Sequence, residues 1–501
     1  MHLVRSLLLA SLGPALAADG SAQGYFFTVP IPAGGIDSFA AACSADGSVV
    51  AGCYETTGPP QAFRYDVRTG TRLLGHLPGG AVSCATGVSG DGTVVVGSAD
   101  ATGTFATSIA WRASAAPVDL GVEPGLFFPS AGAFAASEDG SFIAGKDVGY
   151  VYWWSAATGR FEMTDMFAAN AITADGQRVF GRESGAPSGA GRGAASWSLG
   201  QGVVPLAPLL SPLANITEAT GCTPDGSVAV GFATFSSPMG DRSLVWAGGG
   251  PPQVLPLSSG AAMTDDSRAS DVSADGQCVV GRERPIGGPE QAMLWSPSTG
   301  TVLLRDYLLT LGMTEVTPFD LERATAVSDD GTVIVGLGQP RSNPLERIGF
   351  IVYLDAPGFA LGQAECVDSP PSSAGAGARL LAIGSDAAAD NDVTLVAQRL
   401  PEGAIGTFLC SRTAGFAVAP GGIQGTLCLG GSIGRFTGPN EIFVAQGEGE
   451  ARLRLDLTRL PQPSTTASVL PGETWRFQAW FRETGPAAAS FFTSSVAWTA
   501  R

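Results

Sequence analysis

The unit at residues 82–121 shows the pattern of hydrophobic and polar positions that the rest of the chain repeats. Its first segment alternates small or apolar residues with polar ones, as half-buried strands do. Asp91 and Gly92 follow as a turn, because aspartate caps its own backbone and glycine accepts a positive φ. A β-branched run that ends at Gly97 is typical of a buried strand. We therefore predict four short strands, over residues 82–88, 93–96, 109–111 and 117–121.

One motif, Ala-x3-[Ser/Thr]-x-Asp-Gly-x4-Gly, marks seven copies of this unit. Successive Asp-Gly pairs are 36 to 55 residues apart, which suits the four-stranded blades of a β-propeller. We interpret the repeated aspartates as structural turn residues: Asp46, Asp91, Asp139, Asp175, Asp225, Asp275 and Asp330. Each third strand carries an aromatic residue that we expect to pack between blades: Tyr65, Trp111, Trp154, Trp197, Trp246, Trp295 and Tyr353.

The two ends of the repeat region complement each other. The last unit ends at residues 350–354 without a fourth strand, and the segment 25–35 parallels the fourth strand and turn at 71–80. We therefore expect the N-terminal strand to complete the last blade, which removes an exposed sheet edge. The prediction is an all-β chain with a seven-bladed β-propeller over residues 25–357.

A change in composition marks the end of the repeats. Residues 358–377 are rich in proline, glycine, serine and alanine, and they are predicted to form a linker. Strand-like runs separated by turn clusters follow, which indicates a β-sandwich over residues 378–501. The runs are 378–383, 392–398, 407–409, 451–457, 474–481 and 491–499.

The N-terminus has the organisation of an export signal. Arg5 precedes a short apolar core, and a small-x-small cleavage site ends at Ala17. We predict a signal peptide over residues 1–18 and a mature chain that is secreted, extracellular or held at the cell surface. No later run reaches about 18 uninterrupted apolar residues, so no membrane span is predicted.

The charge balance excludes some classes of partner. The net charge is −17, from 28 Lys and Arg against 45 Asp and Glu. Because this field repels phosphates, nucleic acid and anionic membrane surfaces are not expected as partners. We expect a monomer, and we leave its partner open between a glycan and a surface protein.

The repeats resemble the bacterial extracellular repeat proteins of the HAF family. The resemblance rests on Ala62 to Tyr65, on Leu74 to Gly80 (Leu-Gly-His-Leu-Pro-Gly-Gly) and on Ala85 to Gly97, and it extends over about residues 25–355. It implies secretion and a β-propeller. It implies no biochemical role and no site residues.

The C-terminal third resembles a β module found at the end of secreted planctomycete-type proteins. The residues that carry the resemblance include Cys366, the segment 391–395 (Asn-Asp-Val-Thr-Leu), the segment 427–431 (Leu-Cys-Leu-Gly-Gly) and the segment 471–482. The resemblance implies an appended or surface module. It also implies a disulfide between Cys366 and Cys428.

The other cysteines are interpreted from their places in the repeat. Cys43 and Cys222 occupy a position that holds valine or isoleucine elsewhere, and Cys278 falls in a valine-rich strand. Buried free thiols are the favoured interpretation for these three. Cys410 is left over in the C-terminal module, and Cys53 with Cys84 is a further possible pair in an exported chain.

Catalytic motifs are weak in this sequence. Residues 140–146 nearly spell a phosphate-binding loop, but Asp147 replaces the required Ser or Thr, so we interpret them as a blade hairpin. Residues 430–434 spell Gly-x-Ser-x-Gly without a following helix. His76 is the single histidine of the mature chain, which argues against a hydrolase base and a zinc site. No catalytic residue and no cofactor are predicted.

Calcium is the ion that the clusters of acidic residues could bind. Carboxylates cluster at Asp386, Asp390 and Asp392, at Asp265, Asp266 and Asp271, and at Asp329 and Asp330. Oxygen ligands of this kind can hold calcium, although no EF-hand spacing occurs. We favour structural roles for these aspartates and keep calcium-dependent adhesion as an alternative function.

The leading functional hypothesis is an exported, non-catalytic recognition or scaffold protein. Four variable loops are candidates for its binding face: 98–108, 182–193, 233–242 and 282–290. The alternative is a carbohydrate-active enzyme with carboxylates in the propeller channel. Two inward carboxylates flanking a deep central pocket would favour the enzyme. A channel lined by alanine and glycine would favour the scaffold.

Overall fold

The fold is all-β, as the sequence predicts, with one short α-helix at Leu304–Thr310 among the described residues. The predicted signal peptide lies outside the described residues, as do parts of several loops. A computed structural model describes residues 24–29, 35–101, 107–112, 116–121, 132–146, 150–185, 193–211, 214–236, 239–258, 266–285, 287–354, 360–366, 369–374, 377–445, 449–485 and 488–501.

The first three repeats each form a four-stranded antiparallel sheet in simple chain order. We number the sheets along the chain. Sheet 1 has strands Gly35–Cys43, Val49–Thr56, Gln61–Asp66 and Gly70–Leu73. Sheet 2 has Ser83–Val88, Val94–Ala99, Thr107–Arg112 and Val118–Asp119. Sheet 3 has Gly132–Ala136, Phe142–Lys146, Val151–Ser155 and Gly159–Glu162.

The next three repeats have the same topology. Sheet 4 has strands Met166–Ile172, Arg178–Glu183, Ala194–Ser198 and Gly202–Pro205. Sheet 5 has Ala214–Cys222, Val228–Ser236, Met239–Ala247 and Gln253–Val254. Sheet 6 has Asp266–Val272, Val279–Arg284, Gln291–Ser296 and Gly300–Leu303, and the α-helix follows it directly.

Sheet 7 takes its fourth strand from the N-terminus of the chain. Its first three strands are Phe319–Val327, Val333–Pro340 and Ile348–Tyr353, and its outer strand is Tyr25–Thr28. The outer strand pairs antiparallel with the third one along its whole length. This pairing is the one expected from the missing fourth strand of the last repeat.

Backbone hydrogen bonds between the Asp-Gly turns link the sheets into a ring. Each donor amide belongs to one turn and each acceptor carbonyl to a neighbouring turn, in the order Ala45 to Gly90, Asp91 to Glu138, Glu138 to Ala174, Ala174 to Pro224, Ala274 to Asp329 and Asp329 to Ala45. The last bond joins sheet 7 back to sheet 1. The step after Pro224 lacks such a bond because proline has no N–H. This cyclic order of four-stranded sheets is that of a β-propeller.

The repeated alanine and second glycine of the motif meet at a β-bulge. Every innermost strand pair shifts register directly after the alanine, for example between Ala85 and Gly87. The glycine lies opposite the bulge, and a Cβ on Gly97 would lie 2.1 Å from the carbonyl oxygen of Cys84. Only glycine fits there, so these two motif positions specify the bulge that bends the strand.

Two of the third-strand aromatics, Trp154 and Tyr353, do not occupy the position expected for packing between blades. Trp154 is only half-buried, whereas its neighbour Trp153 is 3% exposed and donates its indole N–H to Gly176. Trp111 pairs with the residue two positions before the second motif glycine of its sheet. In sheet 7 the residue with this pairing is Val352, and Tyr353 is the next residue along the strand. Because strand residues alternate between faces, a one-residue difference changes the neighbour that each ring meets.

The C-terminal part contains a six-stranded sheet and a three-stranded sheet around one core. The six strands are Gln363–Cys366, Ser490–Thr499, Thr474–Arg482, Ile405–Ser411, Gly434–Arg435 and Ile442–Val444. The three are Arg379–Gly384, Val393–Gln398 and Ala451–Arg454. Two small hairpins complete it: Thr413–Val418 with Thr426–Gly430, and Leu460–Pro461 with Thr466–Ala467. The core is rich in aromatic residues such as Trp475 and Trp498.

Part of the range predicted to be a linker, 358–377, belongs to the C-terminal sheet. Its segment Gln363–Cys366 is a strand that pairs with Ser490–Thr499 at the end of the chain. The composition of the range is typical of a linker, but strand pairing depends on the partner strand as well as on local composition.

Candidate functional site

The seven Asp-Gly turns lie at one end of the ring of sheets, which we call the turn end. Each repeated aspartate accepts a hydrogen bond from the motif Ser or Thr hydroxyl and another from the amide two residues on. In the fifth repeat these bonds, led by the Thr223 hydroxyl, lower the pKa of Asp225 to about 2. The seven motif aspartates are therefore held as structural acceptors.

The innermost strands carry small residues where neighbouring sheets come closest. The second residue after the repeated alanine is alanine or glycine in six repeats: Ala42, Gly87, Ala135, Ala171, Gly221 and Ala326. A Cβ on Gly87 would lie 2.6 Å from the carbonyl oxygen of Phe134 in the next sheet. These positions therefore serve close packing of strands.

Sheet 6 is the exception, because it has Asp271 at this position. The carboxylate accepts hydrogen bonds from the amides of Val272 and of Val327 in sheet 7, at 2.9 and 3.0 Å. Burial, with a smaller contribution from Asp329, raises the pKa of Asp271 to about 6. The motif gave no signal for this buried acid, since its position differs from the repeat only in this unit.

A second layer of side chains lies further along the strands from the turns, next to the repeated alanine and second glycine. We call eight charged residues of this layer the belt: Lys146, Arg182, Glu218, Asp241, Arg268, Arg282, Glu290 and Arg323. Their pairs cross from sheet to sheet: Arg182 to Glu218 at 3.3 Å, Arg268 to Asp241 at 2.5 Å, and Arg323 to Glu290 at 2.7 Å. The belt thus spans sheets 3 to 7.

Lys146 and Arg182 share one aromatic ring. The Lys146 Nζ lies 4.0 Å, and the Arg182 guanidinium 4.1 Å, from the ring centroid of Phe167. Burial, and then the charge of Arg182, lower the pKa of Lys146 below its usual value. Glu218, which accepts a hydrogen bond from Asn170, is the carboxylate of this group. Two cations and one carboxylate leave the group with a net positive charge.

The near-match to a phosphate-binding loop is part of sheet 3. Asp139 and Gly140 form one of the seven turns, and Phe142–Lys146 is the second strand. Lys146 therefore belongs to the belt and does not follow a helix N-terminus. The sequence interpretation of these residues as a hairpin agrees with this geometry.

The predicted pair Cys366 and Cys428 is disulfide-bonded in the structure, with 6.3 Å between the Cα atoms. The further possible pair, Cys53 and Cys84, is also bonded and joins sheet 1 to sheet 2 within the same layer as the belt. The four remaining cysteines are free: Cys43, Cys222, Cys278 and Cys410. Burial raises the pKa of Cys278 and of Cys410 to about 12, so neither is a thiolate at neutral pH.

The acidic clusters considered for calcium have partners within the protein. Asp386 pairs with Arg501 at 2.7 Å, Asp392 with Arg454 at 3.6 Å, and Asp266 with Arg284 at 2.7 Å. Asp390 accepts a hydrogen bond from Ser385, and Asp265 lies outside the described residues. Within the part of the chain that the structure describes, no three His, Cys, Asp or Glu side chains are grouped to hold a metal ion.

His76 lies in the turn region between sheets 1 and 2. Its Nδ1 is 2.9 Å from the carbonyl oxygen of Leu77.

Among the described residues, no helix has the length and hydrophobicity that a membrane span requires.

Comparison with known proteins finds solved structures of similar fold, all at low sequence identity and low TM-score. No protein-family model matches the chain, and no curated protein sequence matches it significantly. Among solved structures, TolB from Acinetobacter baumannii is 16% identical with a TM-score of 0.34, covering 61% of this chain and 81% of its own. The oligogalacturonate lyase from Vibrio parahaemolyticus is 12% identical with a TM-score of 0.43, covering 67% and 98%.

The β-propeller domain of the Trilobed protease from Pyrococcus furiosus is 9% identical with a TM-score of 0.42, covering 66% of this chain and 95% of its own. These scores carry no information on activity. The propeller assignment therefore rests on the sheets and on the cyclic hydrogen bonds between their turns.

Proposed function

We propose that this chain is an exported, non-catalytic recognition protein: a closed seven-bladed β-propeller followed by a C-terminal β-sandwich. The HAF-like repeats and the signal-like N-terminus support export. The observation that carries the recognition role is the contrast between the turn end and the belt. The turn end repeats in all seven units, while the belt holds charged residues that differ from unit to unit.

The repeated residues of the turn end and of the inner strands have structural tasks. The repeated aspartates accept hydrogen bonds within their turns, and the inner positions are alanine or glycine in six of seven units. These repeated residues favour a scaffold, while Glu138 and Asp329, whose carboxyl pKa values burial raises, are the turn-end acids that the carbohydrate-active alternative would use. Propellers commonly bind partners at one face while the ring supplies rigidity.

The charge of the belt favours an acidic ligand. Five cations and three carboxylates make it positive in a chain whose net charge is −17. The exposed fraction of the belt arginine side chains ranges from 11% for Arg182 to 41% for Arg268, so a ligand anion beside Arg182 is screened less than at an open surface. An extracellular glycan that carries carboxylate or sulfate groups is the partner class that we propose, ahead of a surface protein.

Glycan-array binding of the mature protein, residues 19–501, tests this proposal. We expect binding to uronate-containing or sulfated glycans over neutral ones. The double variant Lys146→Gln/Arg182→Gln should lose about tenfold or more in affinity, since it removes two charged contacts. Arg64→Gln is the matched control, because Arg64 bonds Asp66 and the Gly92 carbonyl at the turn end.

Binding that is equal in the belt variant and the wild type would contradict the proposed face. Cleavage of a bound glycan would overturn the non-catalytic role and support the carbohydrate-active alternative. Calcium-dependent adhesion predicts that EDTA lowers the melting temperature of the protein. An unchanged melting temperature would count against that alternative.

A further inference from the structure

The six-stranded C-terminal sheet carries a cavity on the face turned away from the main core. Its volume is about 620 Å³, which lies in the range of small-molecule sites. Ile405, Leu409 and Trp480 line it from the sheet, and Ile423 and Leu427 line it from the adjoining hairpin region. Neither the repeats nor the cysteine pattern indicates this cavity.

Strand alternation explains why the cavity lies on this face. In Thr474–Arg482, the side chains of Phe477, Ala479 and Phe481 enter the main core, and Trp480 faces the other way. In Ile405–Ser411, Phe408 enters the core while Leu409 lines the cavity. The sheet is therefore apolar on both faces, and only one of them is covered by the second sheet.

The rim of the cavity exposes aliphatic surface. Ile405 is 47% exposed and Ile442 is 56% exposed, and both line the cavity. Exposed aliphatic surface of this kind is unfavourable in water. An apolar ligand body would remove this surface from water.

The polar groups of the cavity are few and mostly donors. Arg435 is exposed at its edge and has no carboxylate partner among the described residues. The indole Nε1 of Trp480 is buried and has no acceptor within the described part of the chain. The Thr407 hydroxyl already donates to the Phe436 carbonyl, so it is engaged. The unpaired cation at the edge of an otherwise aliphatic cavity suits an anionic head group.

We propose that this cavity binds a small amphiphile that has an aliphatic or aromatic body and a single carboxylate. The aliphatic lining takes the body and Arg435 pairs with the carboxylate. A glycan is disfavoured here, because its many hydroxyls would be buried against aliphatic side chains without partners. The site lies in the C-terminal module and is independent of the function proposed for the propeller.

Calorimetric titration of the mature chain with decanoate, and separately with decanol, tests the site. We expect saturable 1:1 binding of both below the micellar concentration, with decanoate at least tenfold tighter. Arg435→Gln should reduce decanoate affinity to that of decanol and leave decanol unchanged. Arg454→Gln is the matched control, since Arg454 is an exposed arginine of the same module outside the cavity.

A second variant tests the apolar part. Ile423 is half-buried and lines the cavity, so Ile423→Arg places a long charged side chain there. This variant should lose binding of both probes and should keep a melting temperature close to that of the wild type. The proposal fails if neither probe binds the wild type. It also fails if Ile423→Arg binds normally, or if Arg435→Gln does not change the preference for decanoate.

Discussion

At the scale of single residues, the turn glycines have two tasks. Gly92 has a φ of +70°, which other residues adopt only with strain. It also packs against sheet 1, since a Cβ there would lie 2.7 Å from a methyl carbon of Val49. The same contact recurs around the ring, and it includes Gly47 against Val333 of sheet 7. The motif glycine is therefore an inter-sheet contact as well as a turn residue.

Substituting Gly92 separates these two tasks when it is compared with Gly121. Gly121 also has a positive φ of +87°, but nothing lies within 4 Å of its missing Cβ. We expect Gly121→Ala to lower the free energy of unfolding by about 1 kcal/mol and Gly92→Ala by about 2–4 kcal/mol, because overpacking adds to strain. Urea unfolding measures both. Equal losses would show that the contact with Val49 contributes nothing.

The buried carboxyl of Asp271 makes stability depend on pH in a known direction. Burial first, and then Asp329, raise its pKa in the folded protein to about 6 from 3.8. The folded state therefore holds this proton in a range where the unfolded state has released it. The resulting stability is complete below about pH 4 and is lost as the pH rises through 6.

Asp271→Ala, which installs the residue found at this position in four other repeats, tests the effect. Relative to the wild type, the variant should gain about 2–3 kcal/mol in the free energy of unfolding between pH 4 and pH 7. Urea unfolding at pH 4, 5.5 and 7 measures this difference. The exposed-acid variant Glu402→Ala is the control for the general effect of removing a charge. A pH-independent difference would contradict a raised pKa.

The sequence predicted the roles of the repeated turn residues, but it did not predict the roles of residues that depart from the repeat. The roles of Asp91 and Gly92 follow from local backbone chemistry, which the residues carry with them. The buried role of Asp271 could not be predicted, because one of its two hydrogen bonds comes from Val327 in the next sheet. Likewise, the burial of Trp153 in place of Trp154 depends on a packing partner, Gly176, in sheet 4.

At the scale of strands and sheets, neighbours are joined by backbone at the turn end and by side chains in the layer of the belt. The side-chain links differ from one junction to the next. The Cys53–Cys84 disulfide joins sheets 1 and 2, and ion pairs such as Arg323–Glu290 join later sheets. Sheets 7 and 1 meet through the Arg347 amide, which donates to Asp37. Variable residues thus hold the ring together where the motif ends.

Removal of the disulfide should weaken the junction of sheets 1 and 2. We expect Cys53→Ala/Cys84→Ala to lower the free energy of unfolding by about 2–4 kcal/mol, since the bond constrains the unfolded chain. Cys43→Val is the control and should change it by less than about 1 kcal/mol, because valine occupies that place in other repeats. Urea unfolding under oxidising conditions measures both. Free thiols at 53 and 84 in the wild type would contradict the bond.

The strands of the repeats were predictable because hydrophobic alternation and turn chemistry agree in every unit. The C-terminal runs at 392–398 and 474–481 likewise fall on observed strands. The strand at Gln363–Cys366 and the helix at Leu304–Thr310 were missed. The strand Gln363–Cys366 is stabilised by pairing with Ser490–Thr499, more than 100 residues away. Local composition does not indicate such a distant partner.

At the scale of the whole molecule, the C-terminal module covers the junction where the ring closes. Ile383 and Val396 of the module share a core with Tyr65 of sheet 1 and Ile351 of sheet 7. Arg452 of the module donates to the Val67 carbonyl of sheet 1 at 3.1 Å. The module therefore contacts both sheets of the junction. We expect the module and the propeller to unfold together.

Arg452→Gln tests this coupling. Arg452 pairs with Glu450, which is 8% exposed and accepts a hydrogen bond from Tyr65. Leaving Glu450 without its cation should cost about 2–4 kcal/mol and should split calorimetric unfolding into two transitions. Arg454→Gln, two residues along the same strand and 71% exposed, is the control and should change little. Identical traces for the two variants would show that the module does not depend on this contact.

The closed ring is the central claim, and disulfide trapping of its closing strand tests it most directly. Phe27 lies opposite Ile351 in the closing pair, at a spacing that a disulfide bridges. In a Cys43→Val background, Phe27→Cys/Ile351→Cys should yield peptides linked between positions 27 and 351 within one molecule after mild oxidation. The offset pair Phe27→Cys/Gly349→Cys should not. Peptide mapping by mass spectrometry that finds position 27 unlinked, or linked only between molecules, would contradict the closed ring.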